Sequence, residues 1–238
     1  MSNQLIAACR PSATTVEKYQ KAGIWRTDTI LDDLARWLDR TPDSVAVLAL
    51  EDRHDVVRLT YREFAKYVTR FAGALHELDV RSGQVVAMQL PNRWQVGPLM
   101  LACAKIGAIF APIMTSIRPR ELERVLRRVN AAVCVTVDSW EGFDHSAALA
   151  GLTPTLPGLR HRVVLGDRVS ADEIDFRAHF EQTAWEQTHA DVLGEMSADP
   201  DQVAFILFTS GTTGEPKAAL HTLNTAHATY MTDSVKIT

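Results

Sequence analysis

The sequence predicts an α/β fold, a mostly parallel sheet covered by helices. Segments that read as strands and as helices alternate at short spacing. The strand segments are almost continuously apolar, as in Gln84 to Leu90 and Ala131 to Val137, which marks strands buried on both faces. The segments between them repeat apolar residues at helical spacing.

Taken in order, residues 1–27 are weakly patterned. A helix follows Thr27-Asp28, with Ile30, Leu31, Leu34 and Leu38 on one face, and Thr41-Pro42-Asp43 stops it. Val45 to Leu50 and Val56 to Leu59 read as two strands joined by the polar turn Glu51-Asp52-Arg53-His54-Asp55. Thr60-Tyr61-Arg62-Glu63 is a capping box, in which a Thr and a Glu three residues on satisfy free backbone donors at a helix start. Phe64, Val68, Phe71 and Leu75 continue that helix. After the strand Gln84 to Leu90, Asn92 can cap a helix over about Arg93 to Ile106 that is apolar nearly all round, with Gly107 as its stop.

The strand Ala108 to Ile113, the helix Arg118 to Asn130 and the strand Ala131 to Val137 come next. A short helix near Phe143 to Ala150 and a strand at Arg162 to Leu165 complete this part. Residues 167–201 are acidic and poor in apolar pattern, so they read as a surface excursion with a helix near Phe176 to Thr188. Val203 to Phe208 is again a continuous apolar strand.

The 238 residues suffice for one large or two small domains, and 46% apolar with 23% charged residues is the balance of a soluble globular chain. A net charge of −4 argues against a nucleic-acid partner, which would call for a basic stripe. The basic run at Arg118, Arg120, Arg124, Arg127 and Arg128 reads as the solvated face of its helix, with Glu123 and Arg127 paired at i, i+4. Cys9, Cys103 and Cys134 form no CxxC pair and point to a reducing compartment. Leu5-Ile6-Ala7-Ala8-Cys9 lacks the basic start and the length of a signal peptide. The longest apolar run, Val96 to Met114, is interrupted by Gly97, Pro98, Lys105 and Gly107, so no transmembrane segment is expected and the location is cytoplasmic. His221 and His227 have no helix-face spacing for a metal pair, and Trp25, Trp94 and Trp140 read as packing residues.

The stretch with most chemistry is Thr209-Ser210-Gly211-Thr212-Thr213-Gly214-Glu215-Pro216-Lys217, directly after the last apolar strand. Gly211 and Gly214 let the backbone come close to a ligand. Successive N–H groups in such a turn can converge on an anion, and Thr209, Ser210, Thr212 and Thr213 add hydroxyl donors. Lys217 supplies a point charge suited to phosphate. In a parallel sheet, ligands sit beyond the carboxyl ends of strands, which is where this loop falls. The spacing is not that of the ATPase P-loop, and no G-x-S-x-G surrounds Ser210. By composition alone the loop reads either as an anion cradle or as a flexible Thr/Gly-rich surface loop.

The run Phe208 to Lys217 resembles the core motif of the AMP-binding, adenylate-forming superfamily, with Ala218 where that motif usually has glycine. Leu59-Thr60-Tyr61-Arg62-Glu63-Phe64, Gln89-Leu90-Pro91-Asn92, Lys105-Ile106-Gly107-Ala108 and Asp199-Pro200-Asp201 resemble its other segments. Ala22 to Trp25, Trp140 to Asp144 and Leu220 to Thr225 are similar to the branch of cyclohexanecarboxylate-CoA ligases and medium-chain acyl-CoA synthetases.

The resemblance implies a ligase that joins a small-molecule carboxylic acid to coenzyme A through an acyl-adenylate, using Mg2+ and ATP. It also implies ATP phosphate-binding roles for Thr209, Ser210, Gly211, Thr212, Thr213, Gly214 and Lys217. By the same resemblance, residues 1–27 are an N-terminal extension and 28–238 a partial AMP-binding domain, an incomplete N-terminal domain ending after the phosphate loop. The family's C-terminal domain with its catalytic lysine has no match here, so no catalytic residue is assigned. The chain alone is then expected to be inactive, and the acid cannot be named because its pocket lies mostly downstream. A strand before the loop without later neighbours would expose an unpaired edge and favour self-association. The alternative is a non-catalytic remnant, a weak nucleotide-binding or interaction domain.

Overall fold

Val85 and Ala87 pack on one face of a central strand, Val86 and Met88 on the other, and all four are buried. A strand without a solvent face must be covered twice, and that requirement organises the fold. The structure, a computed structural model, describes residues 6, 9–51, 56–209 and 217–234, the last four of these by backbone alone.

In chain order, α1 (Ala13–Lys21) and α2 (Ile30–Arg40) precede an antiparallel hairpin of β1 (Val45–Leu50) and β2 (Val56–Thr60). Of the turn between these strands, residues 52–55 lie outside the described residues. There follow α3 (Tyr61–Glu77), β3 (Val85–Gln89), α4 (Val96–Lys105), β4 (Ile109–Pro112), α5 (Pro119–Val129) and β5 (Ala131–Val137). A small hairpin of β6 (Ser139–Trp140) and β7 (Phe143–Asp144) opens α6 (His145–Leu152), and β8 (His161–Leu165) and β9 (Ile174–Asp175) come next. A π-helical turn at Arg177–Gln182 leads to the short helices α7 (Trp185–Thr188) and α8 (Ala190–Glu195). The chain re-enters the sheet as β10 (Val203–Thr209), returns as β11 (Lys217–Thr222) and passes into α9 (Leu223–Ser234).

The main sheet runs β11-β10-β4-β3-β5-β8-β9. All neighbours are parallel except β10 and β11, so the mostly parallel sheet expected from the apolar strands is what forms. Phe71, Leu75 and Leu99 of α3 and α4 cover one face, and Leu122, Val125, Leu126 and Leu149 of α5 and α6 cover the other. Cys103 and Cys134 are fully buried in these two layers, and burial pushes both thiols up. Trp25 and Trp94 are buried, while Trp140 is half-buried beneath the Arg93 guanidinium.

Several elements depart from the sequence reading for identifiable reasons. The helix expected from Arg93 starts at Val96, behind Gln95 rather than Asn92, and Gln95 makes no side-chain cap. Pro98 has no N–H to donate, so it fits only in a first turn, and a start at Arg93 would have put it in the interior. The first of the expected helices is capped by Thr29, whose box partner is Asp32. Residues 1–27 hold α1, and both Ile6 and Trp25 are buried.

The stretch 167–201 is not a surface excursion. Phe176 and Phe180, four residues apart, stack at 4.7 Å and meet Phe71 edge-on at 5.4 and 5.6 Å. Leu193 is buried with them. Few apolar residues occur there, but those few are large and anchor the segment. The strand before the loop has neighbours on both sides, β4 and β11, so the edge of the sheet falls on β11.

Candidate phosphate-binding site

Because β10 runs parallel to β4, its carboxyl end lies on the same edge as those of β3, β5 and β8. Thr209 closes β10 and pairs with Lys217, the first residue of the antiparallel strand β11. Thr209 and Lys217 are exposed. Ser210, Gly211, Thr212, Thr213, Gly214, Glu215 and Pro216 lie outside the described residues.

Strand alternation fixes which residues share the face of Thr209 and Lys217. Phe205, Leu207 and Thr209 share one face of β10, and their partners His221, Ala219 and Lys217 share it on β11. Ile206, Phe208, Ala218 and Leu220 pack on the opposite face with the α5 and α6 layer. The Thr209 and Lys217 face carries a cavity of about 530 Å³ walled by Met100, Phe110, Phe205 and Leu207. Such a wall can take a hydrocarbon or aromatic group.

The rim of the cavity is charged and hydrogen-bonded. Both terminal nitrogens of Arg26 meet the Asp33 carboxylate, one at 2.9 Å, and that bond holds the Asp33 carboxyl below the usual range. His221 and His227, whose spacing suits no metal pair on a helix face, both line this cavity. Burial, and then Arg26, lowers the pKa of His227. Among the described residues, no group of three or more His, Cys, Asp or Glu could hold a metal ion.

Asn224 is the residue that sequence reasoning missed. It is 1% exposed. Its Oδ1 accepts the Arg26 N–H at 3.0 Å, and its Nδ2 donates to the Arg26 carbonyl at 3.0 Å and to Asp201 Oδ1 at 2.9 Å. One amide thereby ties the start of α9 to the segment before α2 and to the entry of β10, two walls of the cavity. In the sequence it appeared only within the Leu220 to Thr225 run, with no sign of its partners.

The chain belongs to the AMP-binding enzyme family, which it matches over residues 34–237. It is 29% identical over 214 residues to the 2-hydroxy-7-methoxy-5-methyl-1-naphthoate--CoA ligase of Streptomyces carzinostaticus, covering 87% of this chain and 37% of that one. It is 31% identical over 216 residues to the acetyl-coenzyme A synthetase of Escherichia coli, covering 83% and 32%. It therefore spans about a third of the length of these curated relatives. The fold matches that of MbtA from Mycobacterium smegmatis in its apo structure, with a TM-score of 0.74 at 24% identity over 92% of this chain and 39% of that one. Among the described residues, no helix is long and apolar enough to cross a membrane.

Proposed function

We propose that this chain carries the ATP phosphate-binding portion of an AMP-forming acid–CoA ligase. The observation that carries the reading is the run Thr209 to Lys217, which begins at the carboxyl end of β10 on the edge where the parallel strands end. In the proposed reaction a carboxylate attacks the α-phosphate of ATP, giving an acyl-adenylate and pyrophosphate. The thiol of coenzyme A then displaces AMP. Lys217 and the hydroxyls of Thr209, Ser210, Thr212 and Thr213 hold the β- and γ-phosphates and offset charge on the departing pyrophosphate, while Gly211 and Gly214 shape the backbone. Mg2+ enters with the nucleotide. The cavity under Leu207 offers an apolar part of the acid a dry wall.

The relatives act on acids as different as a naphthoate and acetate, so the acid is to be found by a screen. A cytoplasmic location, where ATP and coenzyme A are both at hand, belongs to this reading. A second reading stands beside this one because the chain spans about a third of its relatives: a nucleotide-binding unit without turnover of its own. Exchange of labelled pyrophosphate into ATP, run with alicyclic, aromatic and medium-chain acids and acetate, separates the two. Acid-dependent exchange supports the ligase, and ATP binding without exchange supports the second reading. Absence of both binding and exchange contradicts both.

A further inference from the structure

Gln89 ends β3 and His145 begins α6, and they are 1% and 2% exposed. Gln89 Nε2 donates to the carbonyls of Met114 at 3.1 Å and Ile117 at 3.0 Å. Those bonds use both amide hydrogens and fix the amide's orientation, so Oε1 is the atom 3.3 Å from His145 Nδ1. An amide oxygen only accepts, so Nδ1 carries the proton. The lone pair of the neutral ring is then on Nε2, which is buried and has no hydrogen-bond partner among the described residues.

The ring is held from two further sides. The His145 N–H donates to the Asp138 carbonyl at 3.0 Å, and Phe143 meets the imidazole edge-on at 4.9 Å. The segment that Gln89 grips is the turn after β4, closed by the Ile117 N–H on the Met114 carbonyl at 3.1 Å. Arg118 donates to the Thr115 carbonyl at 2.8 Å and lies over the Phe143 ring at 4.5 Å. Since β4 is the parallel neighbour of β10, this turn stands on the sheet edge beside the strand that opens the 209–217 loop.

We propose that His145 and Gln89 form a positioning relay that registers the Met114–Ile117 turn beside the carboxyl end of β10, and that the relay works only with His145 neutral as the Nδ1–H tautomer. The charged surroundings favour that state. Arg118, before α5, and Asp144, capping α6, face the ring with opposite effects on its charge. The Asp138 carboxylate is taken by the N–H groups of Ser139, Asp167 and Arg168, and the Arg168 side chain lies near both Asp138 and Asp144. Glu173 accepts the Ser146 hydroxyl at 2.6 Å. None of these carboxylates reaches Nε2. Burial, and then Arg118, keeps the imidazole below the usual histidine range. Protonation would bury an N–H without an acceptor and add a cation near Arg118, so acid releases the turn.

The test is NMR on the full chain with labelled histidine, together with amide exchange at Ile117. The expected ring signature at neutral pH is Nδ1–H. Between about pH 7 and pH 5 the Ile117 opening equilibrium should rise about tenfold after correction for the intrinsic rate. His145→Asn places Nδ2 where Nδ1 stood, so it should keep the donor, lose the titration and hold exchange slow at both pH values. His145→Leu has no donor and should exchange fast at both. An Nε2–H signature in the unaltered chain overturns the proposal, as does Ile117 exchange with the same pH profile in the unaltered and His145→Asn chains. Those two readouts decide the matter even if His145→Leu fails to fold.

Discussion

Changing Asn224→Asp replaces one NH2 with an oxygen and leaves the shape of the side chain intact. Oδ1 can still accept from the Arg26 N–H, but the donors to the Arg26 carbonyl and the Asp201 carboxylate are gone. A neutral hydrogen bond contributes about 1 kcal/mol and one to a charged group about 1.5–3 kcal/mol. The new carboxyl also faces Asp201 in a site that is 1% exposed, which raises its pKa. The expected loss is about 3 kcal/mol at neutral pH. Part of it should return near pH 5, when the protonated carboxyl can donate to one of the two partners. Urea unfolding of the altered and unaltered chains at both pH values reads the difference directly. A loss under about 1 kcal/mol, or one that does not shrink on acidification, would refute the role given to Asn224 as the tie between α9, Arg26 and the entry of β10.

Gly73→Ala would put a methyl 2.7 Å from Trp185 Cβ and 3.0 Å from its backbone, so α7 must shift. A loss of about 1–3 kcal/mol with a changed near-ultraviolet tryptophan signal is expected, against the modest helix gain of alanine. Burial raises the carboxyl pKa of Glu181 even though Gln95 donates to it at 2.9 Å. Glu181→Gln keeps an acceptor there and should stabilise the neutral-pH chain by about 0.5–1 kcal/mol, discounted for partial exposure. That advantage should fade as pH falls through the raised pKa, because the unaltered carboxyl then becomes neutral as well. His145, His161 and His179 are all lowered chiefly by burial. The unfolded chain therefore binds protons first as pH drops through about 6.5, and the urea midpoint should fall from there downward; a flat midpoint to about pH 5 would contradict this. Self-association through the β11 edge and the half-exposed Leu207 should appear as a concentration-dependent sedimentation coefficient.

The parallel sheet was legible because Val85 to Met88 and Ala131 to Val137 leave no polar face. The amphipathic α3 and α5 were equally plain, since Thr60 and Glu63 form the box their spacing implies and Leu122, Val125, Leu126 and Val129 are buried in phase. The 167–201 segment was misread because three buried side chains, Phe176, Phe180 and Leu193, do more for its packing than the acidic residues around them reveal. Periodicity counts residues and is blind to the size of each anchor. The Thr209–Lys217 run stood out because its residues are consecutive. Asn224 and the Gln89–His145 pair were not, because each acts through partners distant in sequence that only the sheet brings together.

The central claim is that the run from Thr209 to Lys217 binds the phosphates of ATP. Calorimetric titration of the chain with Mg·ATP, beside the Lys217→Ala variant, tests it most directly. Lys217 is exposed at the start of β11, so its truncation should leave the fold intact. The expected result is saturable binding that weakens at least about tenfold in the variant, the size of one lost charged hydrogen bond. Equal affinities in the two chains, or no binding by the unaltered one, would contradict the claim.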